Sequence, residues 1–214
     1  EETTLQITKL SNTQNRIENK DFAALDPEQE RIRQELRFSH FTYLYKGGDE
    51  ISDSRQQITS DEAIIALACL WSDLSYSTIA KRNAGALSED ISRAPYKALI
   101  NPSTNTYQLI NAVMIVRTAE EHLQNKKNGL SGKEYLVCTH GNRFMEHWIL
   151  QKFKRYKEFS ETVMKDFEAE VKDIIDDIVP KIVEQINTTY SDSYPANIFK
   201  NNTKCKEIEK NMLK

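Results

Sequence analysis

The sequence contains little glycine and proline, six and five residues respectively among 214. Such a scarcity of turn-forming residues is typical of a helix-dominated chain with short connections. The three cysteines, Cys69, Cys138 and Cys205, are an odd number spaced far apart, so the sequence predicts no disulfide framework. No apolar run approaches the roughly 20 residues that span a bilayer. We therefore expect reduced thiols and no membrane partner.

An excess of positive charge is also missing, since the formal net charge is −3. This balance argues against a generally basic nucleic-acid binder, but it leaves room for a local basic patch. Hydrophobic residues at 39% and charged residues at 29% are typical of a soluble chain with a modest core. The length fits one sizeable domain, or one domain with an appendage.

Residues 1–58 predict a strand, a loop, a helix and a hairpin, in that order. Asp26 is expected to be the N-cap of the helix, with Gln29 completing a variant of the capping box. The aromatic alternation at residues 41–45 predicts a strand that ends in a hairpin turn at residues 47–48. Because patterned sequence begins at once, we expect this segment to continue an upstream region that the chain lacks.

Residues 59–214 predict a helical domain. Thr59 or Ser60 is expected to cap a helix that is apolar over most of its circumference and therefore central to the fold. Pro180 is expected to kink the last long helix, because proline removes a backbone donor. The predicted helical segments are residues 77–84, 88–93, 105–127, 131–153 and 158–187, followed by a short charged helix. The predicted fold class is mainly α, a multi-helix domain with a small β element (a short strand or hairpin) near the N-terminus.

Four residues, Cys138, His140, Glu146 and His147, have side chains that can bind metals. His140 and His147 are two helical turns apart, roughly 10 Å along the axis, which is too far for side-by-side chelation. Cys138 and His140 form the one pairing worth weighing for nucleophilic catalysis, and we interpret Cys138 as a thiol of the helix core. Glu-x-Lys at residues 170–172 resembles a nuclease pattern but lies in a predicted helix. We therefore predict no catalytic residue, no metal and no cofactor.

A basic cluster, Lys152, Lys154, Arg155 and Lys157, is the candidate nucleic-acid contact. We place it on consecutive helical turns beside two aromatic residues, where it could form a stripe that contacts phosphates. The alternative is a solvated helix face whose aliphatic stems pack on the core. Charge reversal would distinguish the two interpretations.

The polar run Asn12, Thr13, Gln14 and Asn15 is a candidate binding loop. Amide side chains both donate and accept hydrogen bonds, so such a cluster can bind a polar ligand or nucleic-acid edges. It can equally fix the loop between a strand and a helix through local hydrogen bonds. Both interpretations stay open.

The stretch from residue 12 to residue 36 resembles the AIPR family, the abortive-infection phage-resistance proteins of bacteria. The resemblance is specific over about residues 5–72, including the aromatic strand at 41–45 and the helix at 64–71. Beyond that it is a pattern of helices. The positions that carry it are Asn12, Gln14, Asn15, Ile17, Asp21, Phe22, Ala24, Leu25, Asp26 and Gln29.

The resemblance implies a cytoplasmic protein of phage defence, with this chain as a C-terminal helical domain that binds or regulates. The alternative that it implies is part of a metal-dependent nuclease whose catalytic residues lie upstream. Expected partners are nucleic acid or another defence protein. A homo-oligomer is a further hypothesis, because the amphipathic helix from residue 158 could pair with its own copy, although its apolar stripe is explained more simply as internal core.

Overall fold

The computed structural model describes residues 25–46, 49–50, 52 and 54–213, and within them it contains eleven α-helices and two short strands. The elements in chain order are α1 (Pro27–Phe38), β1 (Thr42–Leu44), β2 (Gln57–Thr59), α2 (Ser60–Leu70), α3 (Ser75–Asn83), a 3-10 turn (Ala84–Leu87), α4 (Tyr96–Leu99), α5 (Thr106–Lys127), α6 (Gly132–His140), α7 (Asn142–Phe153), α8 (Glu158–Glu161), α9 (Glu168–Thr189), α10 (Pro195–Phe199) and α11 (Asn202–Met212). The predicted fold class, mainly α with a small β element near the N-terminus, is confirmed. Among the described residues, no helix is both long and apolar enough to cross a membrane.

The two strands pair in parallel, with Thr42 opposite Gln57 and Leu44 opposite Thr59. The predicted hairpin is therefore wrong, because a hairpin joins antiparallel neighbours and parallel strands need a longer connection. Here residues 45–56 connect β1 to β2. Tyr43 and Ile58 face the core from these strands.

Local side-chain chemistry fixes the starts of α1 and α2. Asp26 caps α1 by accepting a 3.0 Å hydrogen bond from the Glu28 amide, as predicted. The capping box with Gln29 is wrong, because that side chain turns into the core instead. A complete capping box starts α2, where Thr59 accepts from the Glu62 amide and Glu62 accepts from the Thr59 amide.

The long helix α5 lies at the centre, in contact with α2, α6, α7, α8 and α9. Its apolar face, including Leu109, Ile110 and Val113, is buried, as the spacing predicts. The central position of α2 is also confirmed, since its residues 66–70 are all buried. On α9, the apolar stripe is buried within the chain against α5 and α6, as expected for internal core.

Two of the predicted helices are divided or begin later than expected, and a third does not form. The segment 131–153 is divided at Gly141, where a Cβ atom would lie 2.8 Å from both Phe199 Cζ and the Val137 carbonyl oxygen. The last long helix begins only at Glu168, and Pro180 lies inside it on the exposed side. Residues 88–93 form turns rather than a helix.

Candidate nucleic-acid interface

The basic segment, which consists of Lys152, Lys154, Arg155 and Lys157, leads out of α7. The prediction that it occupies consecutive helical turns is wrong, because α7 ends at Phe153 and only Lys152 belongs to it. The other three cations lie on the turn between α7 and α8. All four side chains are exposed.

Two buried phenylalanines force this turn outward. Phe153 and Phe159 are both fully buried and bracket the segment in sequence. Between them, the Arg155 amide donates to the Lys152 carbonyl at 3.2 Å, and the Tyr156 amide donates to the Phe153 carbonyl at 3.0 Å. Because the tight turn is anchored at both ends, its charged side chains must point to solvent.

Asn111 forms hydrogen bonds with the backbone of the segment that follows the basic segment. This buried amide donates to the carbonyls of Phe159 at 3.0 Å and Thr162 at 2.7 Å, and it accepts from the Met164 amide at 2.9 Å. The sequence interpretation did not identify Asn111. A signal was present, since an asparagine interrupts the buried apolar face of α5 and a buried amide requires partners.

Glu170 reaches the turn and accepts a 2.7 Å hydrogen bond from the Tyr156 hydroxyl, but the cations of the basic segment form few ion pairs. Lys157 lies 3.6 Å from Glu161, and both side chains are more than half exposed, so the pair contributes little. Within the described part of the chain, Lys152, Lys154 and Arg155 form no ion pair. Three cations are therefore available to a phosphate backbone.

A groove of about 460 Å³ opens beside Lys154. Its walls are the end of α2, the turn at residues 101–105 and the start of α5. The floor is apolar, with Leu67, Leu70 and Trp71 contributed by the α2 side. Trp71 is held against Tyr76, with ring centroids 4.9 Å apart.

Hydrogen bonds from outside the groove hold its walls in place. Arg31 donates to the carbonyls of Asn101 at 3.1 Å and Thr104 at 3.3 Å. Gln151 donates to the carbonyls of Leu70 at 3.1 Å and Trp71 at 2.9 Å. Both walls are therefore fixed before any ligand arrives.

Several polar side chains of the groove remain available. In the described residues, the side chains of Ser72, Ser103, Gln108 and Lys154 have no hydrogen-bond or ion-pair partner. Asn105 differs, since its oxygen accepts from the Gln108 amide and its nitrogen donates to the Ser160 carbonyl. The sequence interpretation missed the groove, because its residues are spread from position 67 to position 154.

The remaining candidates do not join this interface. Asn12, Thr13, Gln14 and Asn15 lie outside the described residues, so the polar loop stays a prediction. His147 is buried, with its Nδ1 3.0 Å from the Cys69 carbonyl, and His140 Nε2 lies 3.4 Å from the Tyr194 hydroxyl. Burial raises the pKa of the Cys138 thiol, which keeps it protonated and unreactive.

Comparison with known proteins identifies one family. No curated protein and no solved structure matches the chain. The model of a family described as AIPR protein, however, matches residues 1–214. That match includes the segment at residues 5–72 that carries the resemblance, and it continues through all the helices that follow. The chain therefore belongs to the AIPR family.

Proposed function

We propose that this chain is a helical nucleic-acid-binding module of phage defence, acting through the basic segment. Membership of the AIPR family implies a role in abortive infection phage resistance. The narrower proposal of a domain that binds or regulates rests on chemistry of the chain itself. Nucleic acid is the partner that its exposed cations fit best.

The observation that carries the proposal is an anchored turn that presents three cations without an ion-pair partner in the described part of the chain. Lys152, Lys154 and Arg155 are exposed and unpaired among the described residues, although the chain as a whole is acidic. A phosphate backbone releases counterions when such cations bind it, so affinity falls steeply with salt. The anchoring of the turn limits the backbone freedom that binding would otherwise remove.

Charge reversal of Lys152, Lys154 and Arg155 to Glu tests the proposal, because these three cations form no ion pair within the described residues. Fluorescence anisotropy with a labelled oligonucleotide should give an affinity at least about tenfold lower than that of the unmodified chain. The slope of log affinity against log salt should fall by about one for each phosphate that the variant no longer binds. Circular dichroism should be unchanged, because all three side chains are exposed.

A matched control reverses three exposed cations elsewhere, Arg37, Arg82 and Lys210. Each lies in the last turn of a helix, and the three reversals change the net charge by the same amount. The control should retain most of the affinity and the salt slope. Equal losses in both triple variants would contradict a specific role of the basic segment.

A cleavage assay separates the proposal from the nuclease alternative. The chain is incubated with oligonucleotide and Mg²⁺, and strand lengths are followed by denaturing gel. We expect binding without cleavage by this chain. Magnesium-dependent cleavage by the chain alone would refute its assignment as a binding module.

A further inference from the structure

We infer that the groove beside Lys154 takes one unpaired base of a single-stranded nucleic acid. This inference rests on the proposed function, because the same strand would place its phosphates on the basic segment. The inference goes further than the proposed function in one respect: it specifies that the site prefers single-stranded nucleic acid. Three features of the groove support it: the apolar floor, the unpaired polar side chains and the position of Lys154.

The floor suits the flat face of a base. Trp71, Leu67 and Leu70 line it; the indole packs against Tyr76, and the hydrogen bond from Gln151 to the Trp71 carbonyl holds the backbone at this position. The volume of about 460 Å³ lies in the range of pockets for small ligands. Stacking of a base on an aromatic side chain changes affinity by about 5- to 150-fold and tolerates any sequence.

The rim suits the polar edge of a base. Gln108 offers both an amide donor and an acceptor, and Ser72 and Ser103 add hydroxyls. These three side chains have no partner within the described residues, so a ligand would not have to displace an internal hydrogen bond. Unstacked bases of single strands are recognised in this way on their exposed edges.

The position of Lys154 connects the groove to the phosphate contacts. Lys154 belongs both to the groove lining and to the basic segment, so a base in the groove lies next to a cation for its own phosphate. In a duplex, the base is stacked and paired and cannot enter without flipping. The chain should therefore bind single strands more tightly than duplexes of the same sequence.

Anisotropy with a mixed-sequence oligonucleotide of about 20 residues and with its duplex tests the inference. We expect the single strand to bind at least about fivefold more tightly at equal salt. Ser103→Leu, which occupies the groove, and Gln108→Leu, which removes the amide, should each lower single-strand affinity by about fivefold or more. Neither should change the salt slope, because neither removes a charge.

A second measurement follows Trp71 directly. In a Trp148→Phe background, Trp71 is the one remaining tryptophan of the chain. Its fluorescence should be quenched by the single strand and not by the duplex. The matched control is Ser191→Leu, the same change at an exposed serine outside the groove, which should leave affinity and quenching unaltered.

The outcomes separate this inference from the proposed function. Equal affinity for single strand and duplex, with no effect of Ser103→Leu, overturns the base-binding groove and leaves the basic segment as a phosphate contact. A salt slope that falls together with affinity in Gln108→Leu also overturns it, since the loss would then be electrostatic. An unaltered affinity after reversal of Lys152, Lys154 and Arg155 overturns the proposed function itself.

Discussion

The phenol of Tyr43 donates a 2.6 Å hydrogen bond to the side-chain oxygen of Gln29, and both residues are buried. The Gln29 nitrogen in turn donates to the Tyr96 hydroxyl at 2.9 Å. The three side chains thus join α1, β1 and α4 through one amide. Burial raises the pKa of Tyr43 and of Tyr96, so both phenols stay neutral.

Replacement of Gln29 by Leu should destabilise the chain by about 2–4 kcal/mol. The substitution leaves the buried Tyr43 hydroxyl without its amide partner and the Tyr96 hydroxyl with Asp26 alone, and the loss of a partner in the core costs free energy. The free energy of unfolding is measured by urea titration at neutral pH. The slope of the transition should be unchanged if the folded state keeps its compactness.

Two controls make this prediction specific. Gln34→Leu makes the same change on the exposed side of α1 and should alter stability by less than about 0.5 kcal/mol. The triple change Gln29→Leu, Tyr43→Phe and Tyr96→Phe removes all the polar groups and should recover much of the loss. If the triple variant is as unstable as the single one, packing rather than hydrogen bonding explains the effect.

The core hydrogen bonds of Gln29 illustrate which structural features could be predicted from sequence and which could not. The sequence predicts Asp26 as one cap and Thr59 or Ser60 as the other, because an N-cap bonds to amides two or three residues away, and the structure has Asp26 and Thr59. Gln29 could have bonded locally too, but its hydrogen-bond partner Tyr96 is 67 positions along the chain. The parallel pairing of β1 with β2 was missed for the same reason, since a strand pattern carries no information about its partner.

The same distinction applies to the candidate site. The basic segment is visible in sequence because its four cations fall within six positions. The end of α7 at Phe153 could not be predicted from local sequence. The chain after it is hydrogen-bonded to Asn111, which lies on the distant helix α5. The groove was unpredictable for the same physical reason, since it forms only where α2, α5 and the turn at residues 101–105 meet.

Replacement of Asn111 by Ala should both destabilise the chain and loosen the basic segment. The change removes three hydrogen bonds and leaves the Met164 amide and the carbonyls of Phe159 and Thr162 without that partner. The expected loss is about 2–4 kcal/mol. Hydrogen exchange should increase at residues 159–164 more than in α2, and oligonucleotide affinity should fall although no charge has changed.

Asn125→Ala on the same helix provides the comparison. Asn125 is exposed, and alanine has the higher helix propensity, so stability should stay the same or rise by a few tenths of a kcal/mol. Oligonucleotide affinity should also stay constant. If hydrogen exchange in Asn111→Ala is faster by the same factor throughout the chain, and not mainly at residues 159–164, then Asn111 does not hold that segment locally.

Glu146 is a carboxyl group that α7 buries completely in the core. One oxygen accepts a 2.6 Å hydrogen bond from Arg143 and lies 3.5 Å from the Cys69 thiol, while the other has no partner in the described residues. Arg143 also pairs with the exposed Glu120 at 2.9 Å. Burial raises the pKa of Glu146, and the neighbouring guanidinium opposes that rise only in part.

A raised pKa in the folded state makes stability depend on pH with a defined sign. Above the ordinary value of 4.5, the unfolded chain loses this proton first while the folded chain retains it. The folded state then binds more protons, so the contribution of Glu146 to stability falls as pH rises towards its folded pKa. Glu146→Gln removes this titration and keeps an oxygen for Arg143.

The Glu146→Gln variant should therefore gain stability relative to the unmodified chain as pH increases. Urea unfolding of both proteins at intervals from about pH 4.5 to pH 7 gives the difference directly. Glu89→Gln, an exposed change that keeps the buried carboxyl, should follow the unmodified chain over the same range. A stability difference that stays constant with pH would mean that Glu146 titrates alike in the folded and unfolded states, contrary to the effect of its burial.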